Sequence, residues 1–441
     1  MKMTYGELKR LGSQALQGGQ REDALKIFWR LVDAAPNEVD QRLKLADTLM
    51  QAGATDAAGP VYGATATHAM QSGHPLKAIL IGKILETGRV NTGPLYDELA
   101  RLYSADSDRI ARYGERFAPM EDEANVKPPN MEAELAQEAL VAGAARAGAD
   151  LSKVGEYPRM LHRLPLLSDL SGHTFRTVID AMVAHRLPDG AMVIREGEIG
   201  ASFFLVASGE VVVYRTDMNG LEIELATLHE GSLFGEMALI QSSPRTASVR
   251  VVGEADLLEV TREGLASLAT EMNAVAVALD RFTRERLLNN LLATAPLFKP
   301  FSRKQRLDLI KRFTGHEVAP GTTVLKEGDP GRGLYVMLSG EVDVTKAQPG
   351  ESVLLANLKA GEVFGEIALI KDIPATATVT AARQSTILFL DKTYFQRLVS
   401  AVPEIKNYFD NLSEERLADT RMVLDDELFI EDADEDERVL I

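Results

Sequence analysis

The sequence predicts a multidomain α+β chain: a helical array over 1–115, then two small β-barrels or jelly rolls with helical caps. Three observations carry this reading. Residues near the N-terminus recur after about 34 positions. A longer repeat starts at Pro165 and returns at Pro296. Within each of its copies, short apolar β runs are split by Gly turns.

The helical array comes first. Leu11-Gly12, Ala15, Ala24 and Phe28 are echoed at Leu45-Ala46, Leu49, Ala58 and Tyr62, and the echo fades at Thr65 and Met70. Small residues where helices cross, with an aromatic between them, resemble tetratricopeptide repeats. Such arrays stack into a curved surface that binds partner segments. A plain helical bundle that packs only on its neighbours is the other reading. Segments 75–87 and 91–104 predict a further helical pair.

Residues 116–158 predict a linker. APMEDEANVKPPN at 118–130 is polar and Pro-rich. The Ala- and Glu-rich run 131–147 predicts an exposed helix inside it.

The two β domains are expected at 159–292 and 293–412. Glu196-Gly197-Glu198 pairs with Glu327-Gly328-Asp329, and Ser208-Gly209-Glu210-Val211 with Ser339-Gly340-Glu341-Val342. Runs such as AMVIREGE, SFFLVASGEVVVYR and TASVRVV are short strands, and helical patterns flank them. This is the pattern of a small barrel or jelly roll with helical caps. After the second domain, 391–424 reads as helix. Residues 413–441 end in an acidic tail, with nine acids against one Arg over 425–438. It is expected to be a solvated tail. Leu428-Phe429-Ile430 leaves an interaction role open.

Charge and composition narrow the function classes. The formal net charge is -17, which opposes DNA, RNA and anionic membranes. There is no cysteine, which removes thiolate metal sites and cysteine nucleophiles. The seven His show no ligand spacing, so no metal is expected. No apolar run reaches membrane-spanning length, and the start of the chain has no signal-peptide core. A cytoplasmic location follows as the expectation.

The chemistry sits in one cassette, FGEMALIQSSPRTASV at 234–249, with a near copy, FGEIALIKDIPATATV, at 364–379. Gly235 permits a close backbone approach. A short helix from Glu236 would present free N–H groups, which bind phosphate. Arg245 can pair two donors with a phosphate. Glu236 is an acceptor, suited to a ribose hydroxyl. Together they imply a nucleotide whose ribose and phosphate lie close. In the copy, Glu366 remains but Ala375 stands in place of the Arg.

Residues 160–290 and 295–410 resemble tandem cyclic nucleotide-binding domains. These occur in protein kinase A regulatory subunits, cyclic-nucleotide-gated channels and the bacterial catabolite activator family. The resemblance implies that Glu236 accepts from the ribose 2′-OH and that Arg245 clamps the cyclic phosphate. Backbone at Gly235, Met237, Ala238 and Thr246 would line the sugar-phosphate. It also implies a lid over the base, at 272–292, with Met272, Val275, Leu279 and Phe282 at helical spacing; a connecting helix with a core stripe is the equal alternative. Thr246, a hydroxyl after the Arg, bears on base choice: cAMP is favoured, with cGMP close behind. The second set, Gly365, Glu366, Ala375 and Thr376, is a degenerate site, expected to be empty or to bind something other than a cyclic nucleotide.

Catabolite-activator relatives carry a basic helix-turn-helix after the lid, channels carry membrane spans, and kinase regulatory subunits carry an Arg-Arg-x-Ser-like segment before the first domain. This sequence matches none of these outputs, nor any catalytic constellation. The expectation is a non-enzymatic bacterial regulator without cofactor. It would bind cAMP or cGMP in its first barrel and relay this to a protein partner through the helical region. A constitutive scaffold and a regulatory subunit of a kinase or other effector are the alternatives.

Overall fold

The computed structural model describes residues 3–436, apart from 112–113, 133–134, 217–219, 237–243, 267–271 and 349–350. The side chains of 265–266, 272–273 and 425–436 also lie outside the description. The chain divides into two compact units, Met1–Phe282 and Thr283–Ile441.

The first unit opens with six helices: α1 (Tyr5–Gln17), α2 (Arg21–Ala34), α3 (Val39–Gln51), α4 (Thr55–Gln71), α5 (Pro75–Thr87) and α6 (Gly93–Tyr103). Local signals set their starts. Thr4 caps α1 in a capping box: its hydroxyl accepts from the Glu7 N–H, and the Glu7 carboxylate accepts from the Thr4 N–H at 2.8 Å. Pro75 occupies the first turn of α5, where its missing N–H costs nothing. Each of α1 to α4 packs on the next helix in sequence. The helices bury most of the 34-residue echo: Ala24, Phe28, Leu45, Ala46, Ala58 and Tyr62 are all 3% exposed or less, while Leu11 is exposed.

The segment expected as a linker folds back onto these helices. Met3 and Thr4 pair with Val126 and Asn125, and the Tyr5 N–H donates to the Ala124 carbonyl at 2.8 Å. Helix α7 (Gln137–Ala149) packs on α2, α3 and α4, so it is not the exposed helix that its composition predicts. Its small residues are the reason. Gly143 lies against the Trp29 ring and Gly148 against Val61, where a Cβ would clash. Arg42 of α3, 1% exposed, donates to the Gly148 carbonyl at 2.7 Å and caps the end of α7. Phe117 stacks on Tyr157 at 5.7 Å, with His68 of α4 against both rings.

The β domain of the first unit follows α8 (Gly172–Asp180). Its sheet has the strand order 182–187, 248–261, 202–216, 222–228; strand 192–194 joins 248–261, and 233–234 joins 202–216. Pairing is antiparallel, with a register shift opposite Gly209, which has φ +82°. Helices α9 (Arg262–Ala266) and α10 (Met272–Thr294) come next.

The second unit holds the rest of α10, then α11 (Arg303–Ile310) and two four-stranded antiparallel sheets. One has the order 314–318, 385–391, 333–339, 363–364; the other 323–325, 378–381, 341–348, 351–359. Gly340, at φ +85°, ends one strand where Gly209 only kinks its counterpart. The helices α12 (Glu366–Ile370), α13 (Lys392–Ala401) and α14 (Pro403–Asp436) complete it. Of the barrel or jelly roll expected, no closed barrel forms among the described residues, where the strands make open sheets. The α+β layout stands: a helical region followed by two β domains with helical caps. Helix α14 also runs through most of the expected tail. Ile405 and Phe409 are fully buried, which anchors a helix that then propagates into the acidic residues.

Candidate ligand site

In the first β domain, the turn before the cassette is fixed by its backbone. The Gly231 N–H donates to the Val206 carbonyl, and the Val206 N–H to the Ser232 carbonyl, both at 2.9 Å. Gly235 takes φ +84°, a left-handed conformation suited to glycine. Glu236 follows it and is 1% exposed. Met237 and Ala238 lie outside the described residues. Arg245, 8% exposed, is reached through a second loop. Its N–H donates to the Glu198 carbonyl at 2.8 Å, and its carbonyl accepts from the Gly197 N–H at 2.9 Å. Nη1 donates to the Gly235 carbonyl at 2.5 Å, and Nη2 to the Ser202 hydroxyl at 3.3 Å. Gly200 makes room: a Cβ there would land on the guanidinium.

Burial lowers the Arg245 pKa, while Glu259, Glu236 and Glu198 act in the opposite direction. The structure thus brings Gly235, Glu236 and Arg245 together, with the cation fixed against the cassette turn. Thr246 is adjacent and exposed. Such a buried, hydrogen-bonded guanidinium can meet an anion with little further ordering.

The stretch expected as lid or connecting helix forms part of α10. Val275, Ala278 and Leu279 of α10 are buried in the core of the first unit, with Phe282 packed against it. These residues form the core stripe, which is compatible with a base-capping role as well. The Met272 side chain lies outside the described residues.

The second β domain repeats the frame without the cation. Gly365 has φ +83° and Glu366 is 1% exposed. The Ala375 N–H donates to the Asp329 carbonyl at 2.8 Å, and the Gly328 N–H to the Ala375 carbonyl at 2.9 Å, matching the loop bonds of Arg245. Thr376 lies beside it, half-buried. Phe204 stacks on Phe234 at 5.3 Å in the first domain, and Tyr335 on Phe364 at 4.8 Å in the second. The side chains around the arginine position differ: Ser202 corresponds to Gly333, so the arginine and its hydroxyl partner are both absent from the second site.

Another cation serves Glu366. Arg416 of α14 donates through Nη1 to Oε1 at 2.9 Å and to the Val363 carbonyl at 2.7 Å. Burial raises the Glu366 pKa, and Arg416 works against that rise. Beside the pair lies a cavity of about 260 Å³, lined by residues including Leu325, Val344, Leu355, Phe364, Ala375 and Thr420.

Sequence reasoning missed several of these groups. Ser202 was recoverable from the 131-residue offset, since its counterpart Gly333 changes together with Ala375, whereas Gly200 is matched by Gly331 and shows no change. Arg416 carried no signal, because a helical pattern does not say which cassette its face will meet. The same holds for Glu230, six positions before Glu236. Its carboxylate lies 2.6 Å from His74 Nδ1 and 3.0 Å from Lys77 Nζ, both from the start of α5. Lys77 Nζ also pairs with Asp40 at 2.5 Å.

Comparison with known proteins agrees with this duplicated frame. The profile of the cyclic nucleotide-binding domain matches residues 184–271 and 316–401. A cAMP-dependent protein kinase regulatory subunit of Yarrowia lipolytica is 31% identical over 237 residues, 54% of this chain and 59% of the relative. A type II regulatory subunit of Drosophila melanogaster is 28% identical over 241 residues, 54% of this chain and 58% of the relative. The chain therefore spans less than two thirds of these relatives. A solved regulatory domain of Toxoplasma gondii protein kinase A with cAMP is 26% identical, covering 57% of this chain and 92% of that one, with a TM-score of 0.28. The curated relatives are fungal and animal, which gives no support to the bacterial source expected. No described helix is long and apolar enough to cross a membrane. Residues 184–271 and 316–401 are thus two cyclic nucleotide-binding domains in tandem, and through them the chain is similar to protein kinase A regulatory subunits.

Proposed function

We propose that the chain is a non-enzymatic cyclic-nucleotide receptor that binds cAMP, with cGMP as the second ligand, in its first domain. One observation carries the reading: Arg245 is buried and aimed at the Gly235 turn, beside the buried Glu236. In this reading Arg245 neutralises the cyclic phosphate. Glu236 accepts from the ribose, and Gly235, Met237, Ala238 and Thr246 supply backbone. Charge-assisted bonds of this kind are worth about 1.5–3 kcal/mol each.

The bound state would be relayed to the helical region, whose tetratricopeptide-like surface would meet a protein partner. Support for this comes from Glu230, held by His74 and Lys77 a few residues ahead of the cassette. A shift of the cassette turn then acts directly on α5. The chain's similarity to regulatory subunits of a cAMP-dependent protein kinase favours a kinase as the partner class.

Calorimetry of the intact chain with cAMP and cGMP, and of its Arg245→Ala variant, tests the receptor. Saturable binding at micromolar Kd that weakens at least about 100-fold in the variant supports it. No binding by the unaltered chain at millimolar ligand leaves the constitutive scaffold instead.

A further inference from the structure

The second domain holds a partly open cavity of about 260 Å³. Its walls are of two kinds. Leu325, Val344, Leu355 and Val379 form an apolar side, suited to a flat ring. Glu366, Arg416 and Thr420 form a polar side, with donors and acceptors that suit hydroxyl groups. The charge on the walls opposes an anion. Glu362, Glu366 and Asp419 stand against the single guanidinium of Arg416, which is itself paired with Glu366. Ala375 offers no charge where Arg245 stands in the first domain. Gly331, Gly333 and Gly365, the counterparts of Gly200, Ser202 and Gly235, supply no side chain either. The cavity is also covered from one side, since Arg416, Asp419 and Thr420 share one face of α14.

We propose that the second domain binds an uncharged, nucleoside-like molecule: an apolar ring bearing sugar hydroxyls and no phosphate, enclosed in part by the C-terminal helix. The ring would lie on the Leu325–Val344–Leu355 side. The hydroxyls would meet the Glu366–Arg416 pair. A cyclic phosphate would be driven off by the surplus of carboxylates. This inference rests on the geometry of the second domain alone and not on occupancy of the first.

Adenosine and cAMP share base and sugar and differ in the phosphate, so they test the idea. The intact chain carrying Arg245→Ala is titrated with each by calorimetry. The expected result is one adenosine per chain, bound at least about 10-fold more tightly than cAMP. Adding Thr420→Trp, at the half-buried helix face, should fill the cavity and remove adenosine binding; this distinguishes the second domain from residual binding in the first. Ala375→Arg, with three glycines around it, should reverse the preference towards cAMP. The proposal is overturned if adenosine does not bind at millimolar concentration, if cAMP binds as tightly as adenosine, or if Thr420→Trp leaves adenosine binding intact. Should Ala375→Arg fail to fold, the first two titrations still decide. Failure of the unaltered chain to bind cAMP would count against the first site only.

Discussion

Arg416 Nη1 donates to Glu366 Oε1 at 2.9 Å, joining the C-terminal helix to a carboxylate that is 1% exposed. Removing one partner of a buried ion pair leaves the other uncompensated. Arg416→Ala should therefore destabilise the second unit by roughly 3 kcal/mol at neutral pH. The sign with pH follows from the raised pKa of Glu366, which burial causes and Arg416 opposes. A carboxyl with a folded pKa above its unfolded value favours folding when protonated, and this contribution is lost as pH rises through the folded pKa. The deficit of Arg416→Ala should shrink in acid, and adding Glu366→Gln should recover much of it. Hydrogen exchange of the second unit at two pH values is the check; a deficit independent of pH would assign the cost to packing of the Arg416 stem.

Gly200→Ala should injure the first site without unfolding the domain. The added Cβ lands on the Arg245 guanidinium and must displace it. Affinity for cAMP is expected to fall about 10- to 100-fold, the cost of roughly one charge-assisted bond. Gly331→Ala, at the matching place, meets the Ala368 Cβ at 3.0 Å, with the Ala368 carbonyl carbon and Leu369 Cδ2 at 3.4 Å, and no arginine, and should leave first-site affinity unchanged. Calorimetry on both variants separates the two.

Glu230 should make the first unit sensitive to acid. Burial raises its pKa, but His74 and Lys77 overcome this and hold it down at about 2. A depressed carboxyl pKa stabilises the fold above the unfolded value of about 4.3, and this is lost as pH falls towards 2. Glu230→Gln should flatten that slope and cost about 2 kcal/mol or more at neutral pH, since Lys77 is left with Asp40 alone. If the relay is correct, the same variant also removes ligand-dependent protection of α5 in hydrogen exchange. Unchanged protection would sink the relay while leaving the receptor.

His68 titrates in a different window. Burial chiefly, with Arg42 and His74, lowers its pKa to about 4, against the Asn37 carbonyl. The neutral ring is the folded form, so stability is full above the unfolded value of about 6.5 and falls as pH drops to 4 and below. The loss should reach about 3 kcal/mol. Because His68 contacts Tyr157 at 3.1 Å, the segment around Tyr157 should loosen first. Urea midpoints for the unaltered chain and His68→Gln between pH 7 and 4 test this; parallel slopes would refute it.

The residue pattern made the duplicated domains legible because the cassette is local. Phe234 to Val249 span sixteen positions in sequence, so their spacing carries the chemistry, and the swap of Arg245 for Ala375 shows in the alignment. The helices of 1–115 were legible from period and small residues. The region 116–158 was misjudged. Its polar and Ala-rich composition describes solvent-facing side chains, while Gly143, Gly148 and Tyr157 make contacts that no local period encodes.

By itself the sequence determined the order of helical region and two β domains, the glycines of both cassettes, and the loss of the arginine in the second. These depend on neighbours a few positions apart, where backbone geometry fixes who meets whom. Only the tertiary structure decided which distant groups complete each site: Ser202 and Gly200 around Arg245, His74 and Lys77 on Glu230, Arg416 on Glu366. Those partners stand 43 to 156 residues apart. Their pairing follows from sheet register and from which helix face is buried, and neither is written in the spacing of the charges.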